Sequence, residues 1–155
     1  MKKVYARPSG IFEGAVTGFC PGCMHSSVSK LICEVLDELK AVDNACYVQG
    51  VGCCGLAITY FDFDTISSPH GRACAVASAL KRCSPETLVF TYQGDGDLAA
   101  IGLAETMSAA NRGENFSVVF VNNGTYGMTG GQLAPTTLIG AKTTTSPYGR
   151  QPEEH

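Results

Sequence analysis

The sequence predicts an α/β fold built on a parallel sheet with helices on both faces. Three observations carry that expectation. Short apolar runs of strand length alternate with segments of helical periodicity along the chain. There are 18 glycines in 155 residues, where average composition gives about eleven, so tight turns and close backbone approaches are expected rather than a simple helical bundle. A chain of this length makes one domain, residues 1–155, and buries roughly 68–70% of its unfolded surface if it folds alone.

Residues 1–19 show little periodicity and read as an irregular lead-in. Ser26 or Ser27 can cap a helix running to about Lys40, in which Val28, Leu31, Ile32, Val35, Leu36 and Leu39 form one apolar stripe with Cys33 beside it. Cys46 to Val51 is the next strand, ending in the turn Gly52-Cys53-Cys54-Gly55, and Gly71 to Arg82 is a helix burying Val76, Ala77 and Leu80. Leu88 to Tyr92 reads as a buried strand, Leu98 to Ala110 as a helix and Ser117 to Val121 as a returning strand. That is a β-α-β unit, whose two strands must be parallel. From Val121 to Arg150 the chain is rich in glycine and threonine, too polar and irregular for core, and reads as a long ligand-covering loop. No internal repeat or low-complexity linker is found.

Composition excludes several function classes. Net charge is −3 and no basic run exceeds Lys2-Lys3, so neither nucleic acid nor an acidic membrane surface is expected as a partner. No apolar run reaches the ~18 residues that span a bilayer, and Met1 to Gly10 lacks the hydrophobic stretch of a signal peptide. A cytoplasmic protein is expected. In a reducing compartment its eight cysteines are thiols or metal ligands rather than a disulfide framework.

Two motifs fall just beyond the carboxyl ends of the parallel strands, where open α/β sheets bind ligands: Gly94-Asp95-Gly96-Asp97 and Asn122-Asn123. Asp95 and Asn123 supply hard oxygen donors of the kind Mg²⁺ prefers, and the glycines flanking Asp95 let backbone approach a phosphate. Asp95 taken alone could be a helix cap, and Asn122 a turn or packing amide. Cys20-Pro21-Gly22-Cys23 by itself fits zinc, an iron–sulfur cluster or a redox dithiol.

Gly-Asp-Gly followed at this distance by Asn-Asn resembles the thiamine diphosphate signature. With Cys20-Pro21-Gly22-Cys23, Pro69-His70-Gly71-Arg72 and Tyr126-Gly127-Met128-Thr129-Gly130-Gly131-Gln132, the chain resembles the β (thiamine diphosphate-binding) subunit of 2-oxoacid:ferredoxin oxidoreductases. Ala134 to Thr137 and Lys142 to Arg150 are most similar to the 2-oxoisovalerate (branched-chain) type. The likeness runs from about Cys20 to Arg150.

The resemblance implies a three-layer αβα, parallel-sheet thiamine diphosphate-binding fold. It implies Mg²⁺ held by Asp95, Asn123 and the backbone carbonyl of Thr125, with Gly127 and Met128 presenting backbone to the cofactor. His70 is implied as the catalytic contact, and Val51, Gly52, Cys53, Cys54, Gly94, Gly96 and Asp97 as further cofactor-binding positions. A 4Fe–4S cluster is implied on Cys20, Cys23 and Cys53, with Cys54 the competitor for the third place. The fourth ligand in relatives lies beyond the Asn-Asn motif, whereas no cysteine follows Cys83, so a chain shortened at its C-terminus is expected; Cys46 is an alternative ligand. Otherwise Cys33, Cys46, Cys74 and Cys83 read as buried small hydrophobes. His25 has no assigned role, and Arg72 either binds an anion or makes a surface ion pair.

The implied activity is oxidative decarboxylation of a 2-oxoacid with coenzyme A to acyl-CoA, carbon dioxide and reduced ferredoxin. The implied partners are a pyrimidine-domain (α) subunit carrying the glutamate this chain lacks, a γ subunit, a ferredoxin-like (δ) subunit and ferredoxin. The chain alone is expected to be inactive, with apolar faces left for those partners. A non-oxidative thiamine enzyme shares the Gly-Asp-Gly and Asn-Asn motifs without needing Cys20 and Cys23, and a zinc or iron–sulfur electron-transfer module is the reading from a different class.

Overall fold

A computed structural model describes residues 5–154, so residues 1–4 of the expected lead-in lie outside it. The regular elements are α1 (Met24–Glu38), β1 (Ala45–Gln49), β2 (Asp64–Ser67), α2 (Ala73–Cys83), β3 (Leu88–Gly94), α3 (Leu103–Asn111) and β4 (Ser117–Val121), followed by the two-residue strands β5 (Thr125–Tyr126) and β6 (Gln132–Leu133). Strands β1 to β4 form one sheet in the order β2-β1-β3-β4, every pair parallel. Tyr47 lies opposite Phe90, and Gly94 opposite Val121.

Side-chain alternation along the two central strands builds two cores. Ala45, Tyr47, Phe90 and Tyr92 face one way, meeting Cys33 and Leu36 of α1 together with Cys54, Ala57 and Phe61. Tyr47 stacks on Phe90 with centroids 5.6 Å apart and meets Phe61 edge-on at 5.4 Å. Val48 and Val89 face the other way, onto Ala73 and Ala77 of α2. Small residues on α2 let the helix lie close to the sheet, and Cys74, Leu98 and Ala109 join it to the layer of α3. The expected three-layer αβα arrangement follows.

Three expectations are corrected, and one strand was not expected. Helix α1 begins at Met24 with Cys23 at its N-cap, not at Ser26 or Ser27, and its buried face is His25, Ser29, Cys33 and Leu36. The stronger apolar stripe is left outward: Leu31, Val35 and Leu39 are exposed, and with Leu88, Phe90 and Val119 they line an apolar groove of about 340 Å³. Strand β2 had no apolar alternation to announce it, because it is an exposed edge. Cys83 is exposed, unlike the buried Cys33, Cys46 and Cys74.

The expected helix from Leu98 is also interrupted. Residues Gly96–Ile101 form a π-helical turn, closed by the Gly102 N–H donating to the Asp97 carbonyl at 2.8 Å, and α3 starts only afterwards. Beyond Val121 the chain is better tied than a free loop. Ala134, Thr137 and Ser146 are buried, β5 and β6 pair antiparallel, and the Arg150 guanidinium donates to the carbonyls of Pro135 and Thr137.

Candidate cofactor site

The carboxyl ends of β1, β3 and β4 open into a cleft of about 140 Å³. Asp95, Asn123 and Thr125 line it together, so the two side chains expected to hold magnesium face the same space. Asp95 is buried, and its Oδ2 accepts a hydrogen bond from the Thr136 hydroxyl. No hydrogen bond to its Oδ1 occurs among the described residues, which leaves that oxygen for a ligand. Burial, and then the nearby Asp95 charge, push the Tyr126 phenol up.

Asn123 is held by an Asx turn. Its Oδ1 accepts the Thr125 N–H at 3.2 Å, and Asn122 makes the same turn one residue earlier, to Gly124 at 3.2 Å. A carbonyl oxygen has two lone pairs, so the Asn123 Oδ1 keeps one free after that bond. One carboxylate, one carboxamide and one carbonyl make an all-oxygen set suited to a hard cation with water and phosphate completing its shell.

His70 also lines the cleft, on the turn entering α2. Its Nδ1 lies 2.5 Å from Asp97 Oδ1, which also accepts the Gly71 N–H at 2.7 Å, while Asp97 Oδ2 accepts from Gln93 at 2.5 Å. Asp97 borders the cleft, yet its carboxylate is engaged by protein donors and holds the His70 turn against β3. Gly71 must be glycine: its φ is +75°, and a Cβ would stand 2.7 Å from the Gly102 nitrogen. Arg72 takes the ion-pair alternative, to Glu105 at 3.0 Å.

The glycines beside Asp95 differ in purpose. A Cβ on Gly96 would lie 2.2 Å from the Tyr126 ring, so Gly96 exists to seat that tyrosine. A Cβ on Gly94 would meet nothing closer than the Val121 carbonyl oxygen at 3.9 Å, so the space beside it is open. Sequence reasoning gave both the role of admitting a phosphate.

Among the cysteines, Cys54 is buried in the core with its thiol pushed up to about 12 by that burial. Cys53 is half-buried; burial raises its thiol first, then the proximity of Cys23 and Cys20. Charge interaction with Cys23 and Cys20 falls on Cys53 and not on Cys54. Among the described residues, however, no three His, Cys, Asp or Glu side chains converge closely enough to hold a metal. As they stand, three thiols from this chain do not make a closed four-thiolate site. Val51, Gly52, Gly127 and Met128 also line the cleft, and a Cβ on Gly127 would meet Asn123 Nδ2 at 3.3 Å and Cys53 Sγ at 3.6 Å.

The structure puts in the cleft one imidazole left without a role by the sequence, and also Tyr126 and Thr129, which were not expected there. His25, buried in the first turn of α1, bonds through Nδ1 to the Tyr92 hydroxyl, and burial pulls its basicity down. Only its position two residues after Cys23 could have signalled this.

The family described as "Thiamine pyrophosphate enzyme, C-terminal TPP binding domain" matches residues 50–155. The chain belongs to that family. The chain is 48% identical over 160 residues to ketoisovalerate oxidoreductase subunit VorA of Methanothermobacter thermautotrophicus, covering 97% of the chain and 34% of the relative. It is 44% identical over 133 residues to 2-oxoglutarate synthase subunit KorB of Archaeoglobus fulgidus, covering 86% of the chain and 50% of the relative. Among solved structures it matches 2-oxoglutarate:ferredoxin oxidoreductase from Magnetococcus marinus with 2-oxoglutarate, coenzyme A and succinyl-CoA bound. That match has a TM-score of 0.87 at 30% identity, over 96% of this chain and 52% of that one. The chain thus spans a third to a half of the length of these relatives. The expected kinship with 2-oxoacid:ferredoxin oxidoreductase subunits is borne out. Among the described residues no helix is long and apolar enough to cross a membrane.

Proposed function

We propose that this TPP-binding domain is the cofactor-diphosphate half of a 2-oxoacid:ferredoxin oxidoreductase. The complex would convert 2-oxoisovalerate and coenzyme A to the acyl-CoA and carbon dioxide, passing electrons to ferredoxin. The observation that carries the reading is the convergence of Asp95, Asn123 and Thr125 in one cleft at the carboxyl ends of adjacent parallel strands. When bound, thiamine diphosphate supplies the electron sink that decarboxylation of a 2-oxoacid requires.

The chain's own residues bind and orient. Asp95 Oδ1, Asn123 Oδ1 and the Thr125 carbonyl are the magnesium donors, and the open backbone at Gly94 receives the diphosphate. Asp97 accepts from His70 Nδ1 and so presents Nε2 of that ring to the cleft. Cys20, Cys23 and Cys53 are the cluster candidates, and the remaining corner needs a donor from outside this set. All eight cysteines are free, which suits a reducing cytoplasm. The pyrimidine-domain, γ and ferredoxin-like subunits complete the enzyme in this reading.

The choice of substrate is supported by the higher identity to the ketoisovalerate subunit than to the 2-oxoglutarate one. The test is coexpression with the partner subunits and measurement of 2-oxoacid-dependent ferredoxin reduction across branched, aryl and dicarboxylic substrates. The expected result is a requirement for coenzyme A and the highest kcat/KM with 2-oxoisovalerate. Aldehyde release without acceptor reduction would assign a non-oxidative thiamine enzyme instead.

A further inference from the structure

The proposed function leaves the threonine-rich segment of residues 134–150 without a role of its own. Among the described residues, none from 134 to 150 lines the cofactor cleft. Thr136, Thr137, Lys142 and Thr143 line a separate cavity of about 370 Å³, which shares only Asn123 and Thr125 with the cleft. The segment therefore meets the site through its candidate metal donors, from outside the cleft.

Two consecutive threonines make the decisive contacts. The Thr136 hydroxyl donates to Asp95 Oδ2, beyond β3, and the Thr137 hydroxyl donates at 2.6 Å to the carbonyl of Gly124, in the turn between Asn123 and Thr125. Both directions are fixed by chemistry, because an ionised carboxylate and a backbone carbonyl can only accept. The loop that carries them is itself anchored. The Ala134 N–H donates to the Thr137 hydroxyl at 2.9 Å, and the Arg150 guanidinium donates to the carbonyls of Pro135 and Thr137, on either side of Thr136.

This wiring divides the Asp95 carboxylate. Oδ2 is engaged by Thr136, whereas Oδ1 has no hydrogen bond among the described residues. Nor is Oδ1 sealed in: among the described residues, the buried side-chain oxygens and nitrogens without a partner are the hydroxyls of Ser29 and Thr91. An unpartnered oxygen that is not buried meets an opening, and the opening that Asp95 lines is the cleft. A carboxylate free to turn can offer a cation both oxygens, while one tied through Oδ2 offers a single oxygen. Magnesium demands near-ideal octahedral geometry, into which the narrow bite of a two-oxygen carboxylate fits poorly; calcium takes more oxygens and accepts a carboxylate through both.

We propose that Thr136 is a positioning residue that holds Asp95 to one free oxygen and so sets the site for magnesium over calcium. This rests on the functional reading above.

The experiment titrates Mg²⁺ and Ca²⁺, each at fixed thiamine diphosphate, into the assembled metal-free complex carrying wild-type chain, Thr136→Val or Thr136→Ser. Calorimetry gives each Kd without recourse to turnover. In Thr136→Val the Mg²⁺ Kd should rise about 10–100-fold, the usual effect of losing a partner that orients a metal ligand. The Ca²⁺ Kd should rise less, so that the ratio of the Ca²⁺ to the Mg²⁺ Kd falls by at least about fivefold. Thr136→Ser keeps the hydroxyl and should stay within about threefold of wild type for both cations. Should Thr136→Val fail to assemble, the same two titrations on Thr136→Ala decide in its place. Equal loss for the two cations marks a residue that only supports the fold and overturns the proposal. A Mg²⁺ Kd within about threefold of wild type in Thr136→Val overturns it too, as does a serine variant no better than the valine one. A wild-type complex that binds thiamine diphosphate without regard to Mg²⁺ removes the functional reading and this inference with it, whereas a magnesium-dependent wild type with an indifferent Thr136→Val removes the inference alone.

Discussion

Gly71→Ala should damage the site through the backbone, without touching a ligand. At Gly71 the φ of +75° costs an L-residue about 1–2 kcal/mol, and the added Cβ would sit 2.6 Å from Ile101 Cγ2 and 2.7 Å from the Gly102 nitrogen. The second contact is with backbone at the end of the π-helical turn, so relief requires moving the His70 turn away from Asp97, and overpacking of that kind costs about 1–3 kcal/mol more. The sum is roughly 3 kcal/mol, which for a chain of this size lowers Tm by about 6–12 °C. Gly113→Ala isolates the conformational part, because Gly113 has φ +63° and an added Cβ there would meet nothing within 4 Å. Thermal denaturation of the two variants beside wild type, with thiamine diphosphate titrations of each, is the assay. Gly71→Ala should lose both Tm and cofactor affinity, and Gly113→Ala only a smaller part of Tm. Equal Tm losses, with cofactor affinity intact in both, would refute the packing argument.

Two further outcomes are expected. Hydrogen bonds from Arg112 and then Arg82 hold the Glu114 carboxyl below its ordinary 4.5, so the native state keeps it ionised where the unfolded chain would take up a proton. That stabilisation is present above pH 4.5 and is lost as pH falls through the native value; Glu114→Gln should flatten the acid limb of a Tm-against-pH curve, and an unchanged limb would remove the pair from stability. For the cysteines, anaerobic iron and sulfide analysis of the assembled complex should show cluster loss in Cys53→Ser and retention in Cys54→Ser; the reverse pattern would move the ligand into the core.

What could be read from the chain was what burial writes into it. Strands β1 and β3 were legible because their apolar runs cross a shared core, and β4, though a largely exposed edge, by its run of valine and phenylalanine; the ends of β3 and β4 placed Asp95 and Asn123 before any coordinates. Strand β2 was not, since an edge facing solvent needs no apolar alternation. The face of α1 was misjudged for a related reason. Small residues such as Ser29 and Cys33 pack against the sheet, while Leu31, Val35 and Leu39, the last 61% exposed, form an apolar groove beside β4 that no described residue fills. Periodicity reports that a stripe is apolar, not what it meets. Hydrogen-bond wiring escaped for another reason: nothing in the spelling of Gly94-Asp95-Gly96-Asp97 says that one aspartate opens to the cleft while the other is spent on His70, Gly71 and Gln93.

In the proposed function Asp95 and Asn123 share a cation that anchors the cofactor's diphosphate. Its most direct test is calorimetric titration of thiamine diphosphate into wild-type protein and Asp95→Ala, each with and without Mg²⁺. Wild type should bind at least about tenfold more tightly with the metal, and Asp95→Ala should lose that dependence together with most of the affinity. Equal affinity and equal magnesium dependence in both proteins would contradict it.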